Sequence, residues 1–216
     1  MLQAMAPAQA QANQSIASGF EVLQEVISAG RPLGSREVAR RLGMEHSRAN
    51  RILGTLASVG MLVQNQDSRY LSGPRVHVLS ALSLNASRLI PAALPQLRPF
   101  HAEGATVALG TLWRDTVVYL LHANPTQDLA ASAGAHDSYP RDRSIIGTLL
   151  ADDGPSALWQ DRPEEGSRGW AARVGNHGAM AIAVVLPKEN PLCRPPRAML
   201  SRVEAAARSI SASISA

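Results

Sequence analysis

Two short helical segments joined by a glycine turn, within residues 35–59, most constrain what this chain folds into. Ser35 is predicted to cap the first segment, and Gly43 is expected to end it in the left-handed conformation that glycine tolerates. The second segment, over 47–59, carries apolar residues at helical spacing: Ala49, Ile52, Leu53 and Leu56. A tight turn between two such helices predicts a helix-turn-helix, whose second helix projects into a DNA major groove.

The flanking segments predict a winged form of this motif. A helical stripe of apolar residues occupies 15–29 and ends before Gly30. After the third helix, residues 61–63 and 69–71 resemble two short strands joined by a turn. The predicted order of helix, helix, turn, helix and hairpin is typical of a winged helix-turn-helix, here over residues 15–74.

The polar face of the third helix supplies the candidate DNA contacts. They are His46, Ser47, Arg48, Asn50 and Arg51, with Arg69 of the hairpin and Arg36, Arg40 and Arg41 of the preceding helix as further candidates for phosphate. Arginine suits guanine edges and phosphates, asparagine reads adenine, and serine bonds phosphate. A solvated helix face is the alternative interpretation. Residues 1–75 hold eight arginines and five acidic residues, a net +3 out of +4 for the chain, which favours a polyanionic partner.

The remaining chain predicts a linker helix over 75–90 and a second, α+β domain over 91–216. The linker helix either joins the domains or pairs with a second subunit. Prolines interrupt 91–101, which predicts a broken helix there. Strands are expected at 106–112, 116–121 and 179–186, and helices at 145–151, 156–160 and 197–210. The charged residues 139–143 are expected to form a surface loop or to line the mouth of a pocket.

Several classes of protein are disfavoured by what the sequence lacks. Cys193 is the only cysteine, and the six histidines form no pair at metal-ligand spacing. No apolar run reaches the roughly 20 residues of a membrane span. Residues 1–14 lack the features of a secretion signal and are predicted to be a disordered tail. We therefore expect a cytoplasmic protein with no metal site and no cofactor.

The helix-turn-helix residues resemble those of the IclR family. Residues 43–56 read G-M-E-H-S-R-A-N-R-I-L-G-T-L, similar to the family pattern G-L-P-K-S-T-V-H-R-L-L-x-T-L. Residues 15–23 read S-I-A-S-G-F-E-V-L, similar to the first-helix pattern S-x-x-R-A-L-x-I-L. Residues 103–109, 134–151, 169–171 and 181–187 are similar to segments of the family's second domain. The resemblance implies a GAF-like effector domain, a homodimer or tetramer, a palindromic operator in double-stranded DNA, and an aromatic or organic-acid effector.

The departures from the family pattern fall where an effector would bind. Ala183 and Val185 replace two serines that can donate to a carboxylate, and neither can make such a bond. The six residues of 172–177 are too few for a turn and a further strand of the family. Of the pocket pattern, Gly134 and Ala135 remain, and their backbone amides are expected to face an anion. We expect either an apolar pocket for a small aromatic or lipophilic ligand, or a pocket without an effector.

Two alternatives to a transcriptional regulator stay open at this point. Some small-molecule methyltransferases carry a winged helix that serves only dimerisation, but they need a glycine-rich nucleotide loop such as D-x-G-x-G, which this sequence lacks. A dimerisation module that never touches DNA is the second alternative, and the basic third helix argues against it. The expected function is DNA-binding transcriptional regulation, and the protein is not expected to be an enzyme.

Overall fold

The computed structural model describes residues 13–134, 137–151, 154–175 and 179–215 and divides the chain into two compact units, before and after the Ser83–Leu84 bond. Most of the predicted tail over 1–14 lies outside the described residues. Its last two residues belong to the first helix, which Asn13 caps and Gln14 begins. Among the helices of the described residues, none is long and apolar enough to span a membrane.

The first unit is a winged helix-turn-helix, as predicted. It consists of α1 (Gln14–Ser28), α2 (Ser35–Leu42), α3 (His46–Ser58), β1 (Leu62–Gln64), β2 (Tyr70–Ser72) and most of α4 (Pro74–Ser87). Val22, Val38 and Leu53, one from each of the first three helices, are fully buried together with Leu62 of β1. The apolar stripes read from the sequence therefore meet in one core, which fixes the outward face of α3.

The turn between α2 and α3 is held by Gly43 and Glu45. Gly43 has φ +60° and ψ 29°, the left-handed conformation that was predicted. Glu45 caps α3, since its carboxylate accepts a hydrogen bond from the Ser47 amide at 3.3 Å. The prediction that Ser35 caps α2 was wrong, because Gly34 holds that position without a side-chain bond.

The wing contains a pairing that sequence analysis missed. Leu33, between α1 and α2, exchanges two backbone hydrogen bonds with Tyr70 of β2, at 2.9 and 2.8 Å. Asn65 organises the hairpin turn, since its side-chain oxygen accepts from the amides of Asp67 and Arg69. The strands lie one residue later than predicted, because the Asn65 amide donates to the Arg69 carbonyl and places both residues in the turn.

The second unit is an antiparallel six-stranded sheet with helices on both faces, so the α+β prediction is confirmed. Its strands are β3 (Thr106–Trp113), β4 (Thr116–Ala123), β5 (Ser138–Pro140), β6 (Ala157–Arg162), β7 (Ser167–Val174) and β8 (Met180–Pro187). They are ordered β5-β4-β3-β8-β7-β6. The helices are α5 (Leu89–Ala102), α6 (Ile145–Leu150) and α7 (Pro196–Ser215).

The two faces of this sheet pack against different helices. Leu109, Trp170 and Val184 are buried against α5 and α7. Because side chains alternate along a strand, the neighbouring Ala108 and Ala183 point to the α6 face. Their small side chains, beside a helix of only six residues, leave room for a cavity on that face.

One prediction for the strands of this unit was wrong. Residues 156–160 were expected to be helical, but Ala157–Arg162 is strand β6, paired along its length with β7. The stretch is too short for a helical period to be read, and pairing with a distant strand decides its structure. Residues 171–174 continue β7 and do not form a separate strand. This agrees with the expectation that 172–177 is too short for a turn and a further strand.

The predicted break over 91–101 was also wrong, since α5 is one continuous helix. Pro91, Pro95 and Pro99 are four residues apart and all three are exposed. The carbonyls that lose a helical partner therefore lie along the solvent side, where water satisfies them. The opposite side buries Leu97 and Phe100, and that burial holds the helix together.

Candidate nucleic-acid interface and ligand cavity

The exposed face of α3 presents Ser47, Asn50 and Arg51. All three are solvent-exposed, whereas Ala49 and Leu53 on the opposite side of the helix are fully buried. Within the described residues, no side chain bonds to the Asn50 amide or the Arg51 guanidinium. A free guanidinium next to a free carboxamide on one helix face can donate and accept at base edges without breaking a bond of the protein.

The first turn of α3 is braced by its neighbours. The His46 ring nitrogen Nε2 lies 2.9 Å from the Ser35 hydroxyl at the start of α2. The Ser47 hydroxyl donates to the Glu45 carboxylate, and this bond together with the Ser47 amide holds the pKa of Glu45 below its ordinary value. His46 and Ser47 therefore fix the turn in addition to lying at the predicted interface.

Arg48 lies on the flank of α3 rather than at the centre of its exposed face. Its Nη2 donates to the Ser18 hydroxyl of α1 at 2.7 Å. Ser18 is only 5% exposed. The sequence grouped Arg48 with Arg51 as DNA contacts, but in the structure the Arg48 guanidinium is bonded to α1.

The remaining arginine candidates differ in whether they are engaged. Arg36 and Arg69 are exposed, and no bond to their guanidinium groups occurs within the described chain. Arg41 instead bonds Glu25 at 2.9 Å and Glu37 at 3.0 Å, and these bonds raise its pKa. We therefore retain Arg36 and Arg69 as phosphate candidates and set Arg41 aside as part of the fold.

A cavity of about 390 Å³ opens on the α6 face of the second unit. Thr106 and Ala108 of β3 and Ala183 and Val185 of β8 line it together. The two β8 positions are those singled out as replacements of serine donors. The structure thus puts Ala183 and Val185 in a cavity wall, and this part of the wall offers no side-chain donor except the Thr106 hydroxyl.

Aromatic rings form a second wall of the cavity. Tyr119 stacks on His122 with ring centroids 4.8 Å apart, and Tyr139 contacts Tyr119 edge-on at 5.5 Å. Tyr119 is hydrogen-bonded to the buried Ser144 hydroxyl at 2.7 Å, and burial raises the pKa of its phenol. The ring contacts and the bond to Ser144 hold this wall in place, which suits contact with another aromatic ring.

The cavity mouth holds two arginines in different states. Arg162 is paired with Glu165 and also donates to the Arg143 carbonyl at 2.8 Å. The exposed Arg143 guanidinium has no bonding partner among the residues that the structure describes. Arg143 is therefore the lining cation available to an anionic ligand.

The backbone anion site predicted at Gly134 and Ala135 is not supported. The Gly134 amide donates to the Leu120 carbonyl at 3.0 Å, so it is not free to bind an anion. Gly134 has φ +87° and does not line the cavity. Ala135 lies outside the described residues. The glycine serves the loop geometry, because only glycine adopts this φ without strain.

Sequence analysis did not identify most of the cavity-lining residues. Tyr139 and Arg143 come from the segment for which a pocket mouth was one of two interpretations. Tyr119, His122 and Arg162 were not predicted, because they reach the site through sheet pairings far apart in sequence. Across the described residues, no group of three or more metal-ligating side chains comes together.

Comparison with known proteins gives matches in both units. The model of the IclR helix-turn-helix domain matches residues 15–66. The HTH-type transcriptional regulator KdgR of Dickeya chrysanthemi is 28% identical over 152 residues, covering 69% of this chain and 48% of the relative. KdgR of Escherichia coli K12 is 27% identical over 152 residues, covering 69% and 55%. The chain spans about half the length of these curated relatives.

Solved structures match over nearly the whole chain. An IclR-family transcriptional regulator from Brucella abortus has a TM-score of 0.71 at 16% identity, covering 96% of both chains. An IclR homologue of Microbacterium hydrocarbonoxydans, complexed with 4-hydroxybenzoate, has a TM-score of 0.59 at 18% identity, covering 94% of this chain and 99% of that one. At these identities the likeness establishes the fold. The match at residues 15–66 shows an IclR-type helix-turn-helix domain in the first unit, and the KdgR relatives support a transcriptional regulator of the IclR family.

Proposed function

We propose that this chain is a transcriptional regulator of the IclR type that binds a palindromic DNA operator through α3. The observation that carries the proposal is the unpartnered pair Asn50 and Arg51, exposed on the helix that follows the Gly43 turn. Arg36 and Arg69 add unpaired cations on α2 and at the wing, where a duplex seated on α3 would bring its phosphates. The net positive charge of residues 1–75 supports the same partner.

In vitro selection tests this proposal without knowledge of the target genes. The purified full chain is incubated with a pool of random-sequence duplexes, and bound DNA is amplified and sequenced over several rounds. We expect enrichment of one inverted repeat, whose half-sites are about one helical turn apart. We call the enriched DNA the selected duplex. A pool that stays random after repeated rounds would overturn the proposal.

We further propose that the chain acts as a homodimer or tetramer through the exposed apolar face of α4. Val78, Leu79 and Leu82 are 55%, 52% and 61% exposed, and they lie together on one side of the helix. No residue of α4 that the structure describes is buried. An apolar helix face of this kind is typical of a subunit interface, and an inverted repeat requires two copies of α3.

Charged residues on that face are expected to break the oligomer. Leu79→Glu combined with Leu82→Glu should shift the chain from a dimer or tetramer to a monomer in sedimentation velocity at micromolar concentration, because carboxylates cannot be buried in an apolar contact. His77→Glu combined with Ser80→Glu adds the same charge on the opposite side of the helix and should leave the oligomer intact. Equal behaviour of the two double variants would contradict the interface.

The cavity of the second unit is proposed to bind a small aromatic carboxylate. Its wall of Tyr119, His122 and Tyr139 suits a ring, and the unpaired Arg143 suits a carboxylate. The alanine and valine at 183 and 185 remove the side-chain donors that a short polar acid would need. The Microbacterium homologue, which was solved with 4-hydroxybenzoate, supports this class of ligand.

Calorimetry with 4-hydroxybenzoate tests the proposed ligand class. We expect saturable binding by the wild-type chain and a loss of about tenfold or more in affinity for Arg143→Ala, since a charge-assisted bond is removed. Arg141→Ala, two residues away, lies outside the cavity lining and should bind as the wild type does. Tight binding of glyoxylate or pyruvate, or no effect of Arg143→Ala, would contradict the proposal.

A further inference from the structure

A cleft between α1 and α3 lies beside the exposed face of α3. Its volume is about 230 Å³, and Arg48 and Arg51 of α3 are among the residues that line it. Ser15 of α1 and the apolar Ile52 and Leu56 of α3 line it as well. The cleft therefore combines cations with a hydroxyl donor in a concavity at the proposed DNA surface.

The Arg48 guanidinium is anchored, unlike the other arginine of α3. Its bond of 2.7 Å to Ser18 joins α3 to α1, and Ser18 is itself buried at 5% exposure. The Ser18 hydroxyl uses only one of the five donors of a guanidinium, so the remaining N–H groups are available. A guanidinium held this way has lost most of its freedom before a ligand arrives, which favours binding.

We propose that this cleft binds one phosphodiester of the DNA backbone through Arg48 and the Ser15 hydroxyl, with Ser18 as a positioning residue for Arg48. The inference rests on the proposed function, since it assigns separate roles within one DNA complex. Asn50 and Arg51 face the bases, whereas Arg48 is directed to the edge of the interface by its bond to α1. A phosphate suits this position because it lies on the outside of the duplex and accepts bonds from arginine and serine.

The proposal is tested by fluorescence anisotropy with the selected duplex and a random-sequence duplex of equal length, at several NaCl concentrations. We expect Arg48→Ala to weaken binding of both duplexes about tenfold and to lower the slope of log affinity against log salt by about one. We expect Ser18→Ala to weaken both about threefold and Ser18→Thr, which keeps the hydroxyl, to restore binding. In the Arg48→Ala background, Ser18→Ala should add no further loss.

A scan of single methylphosphonate substitutions in the selected duplex locates the contact. We expect one position in each half-site at which the methylphosphonate weakens binding by the wild-type chain. At that position the substitution should not change the affinity of the Arg48→Ala variant. The subsite is overturned if Arg48→Ala affects only the selected duplex, which would mean a base contact. It is also overturned if Ser18→Ala leaves DNA affinity unchanged, or if Ser18→Ala weakens binding as much in the Arg48→Ala background as in the wild type. Both comparisons use variants whose thermal unfolding matches the wild type. A wild-type chain that binds neither duplex would overturn the proposed function itself.

Discussion

Replacing Arg48 and Arg51 together with alanine is expected to reduce affinity for the selected duplex by about 100-fold or more, with fold and oligomeric state unchanged. One substitution removes a base contact worth about 1–3 kcal/mol, and the other removes a phosphate contact. Within the described residues the Arg51 guanidinium has no bonding partner and the Arg48 guanidinium bonds Ser18 alone, so little of the fold depends on either side chain. Anisotropy at one fixed salt concentration measures the loss.

Charge alone must be separated from position in this experiment. Arg98→Ala combined with Arg197→Ala removes two exposed arginines of the second unit and serves as the matched control. We expect the control to bind the selected duplex within about threefold of the wild type, because exposed charges that make no direct contact with DNA are screened at physiological salt. If the α3 variant also bound like the wild type, α3 would not be the reading helix.

Trp170→Ala is expected to lower the free energy of unfolding of the second unit by about 3–5 kcal/mol. The indole is fully buried between the sheet and α7, and its Nε1 donates to the Pro196 carbonyl at 2.9 Å. Truncation leaves a large cavity and removes the bond partner of that carbonyl. A loss of this size is a large share of the roughly 5–15 kcal/mol that stabilises a domain.

Trp159→Ala provides the matched control for the buried tryptophan. Trp159 lies opposite Trp170 on the neighbouring strand but is 39% exposed, and the Arg168 guanidinium lies 5.0 Å from its ring. Its loss should cost about 1 kcal/mol or less. Urea unfolding followed by tryptophan fluorescence reports on this unit, because all three tryptophans belong to it. Equal losses in the two variants would contradict the assigned core.

The first unit could be predicted from sequence because its signals are local. Gly43 marks the turn, and the apolar periods of α1, α2 and α3 each fall within about four turns of helix. The pairing of Leu33 with Tyr70 could not be predicted in this way, since it joins residues far apart in the chain. The bond between Ser18 and Arg48 was missed for the same reason, and it changed the role assigned to Arg48.

The second unit depends on longer-range pairings, and some of its elements were predicted wrongly from the sequence. The prolines of α5 suggested a break because the pattern does not reveal which side of a helix faces solvent. The cavity is built from β3, β4, β5, β6 and β8 and from the segment before α6, which meet only through the sheet order. Ala183 and Val185, which the resemblance singled out, line this cavity, whereas Gly134 does not and its amide is bonded to Leu120.

The central claim is specific binding of double-stranded DNA through α3. Titration of the wild-type chain against the selected duplex and a scrambled duplex of identical composition, both near physiological salt, tests it most directly. We predict a ratio of dissociation constants of about 10³ or more, as for other sequence-specific proteins. A ratio within about threefold, with both duplexes bound only at low salt, would mean that the positive charge of this unit attracts DNA without reading it.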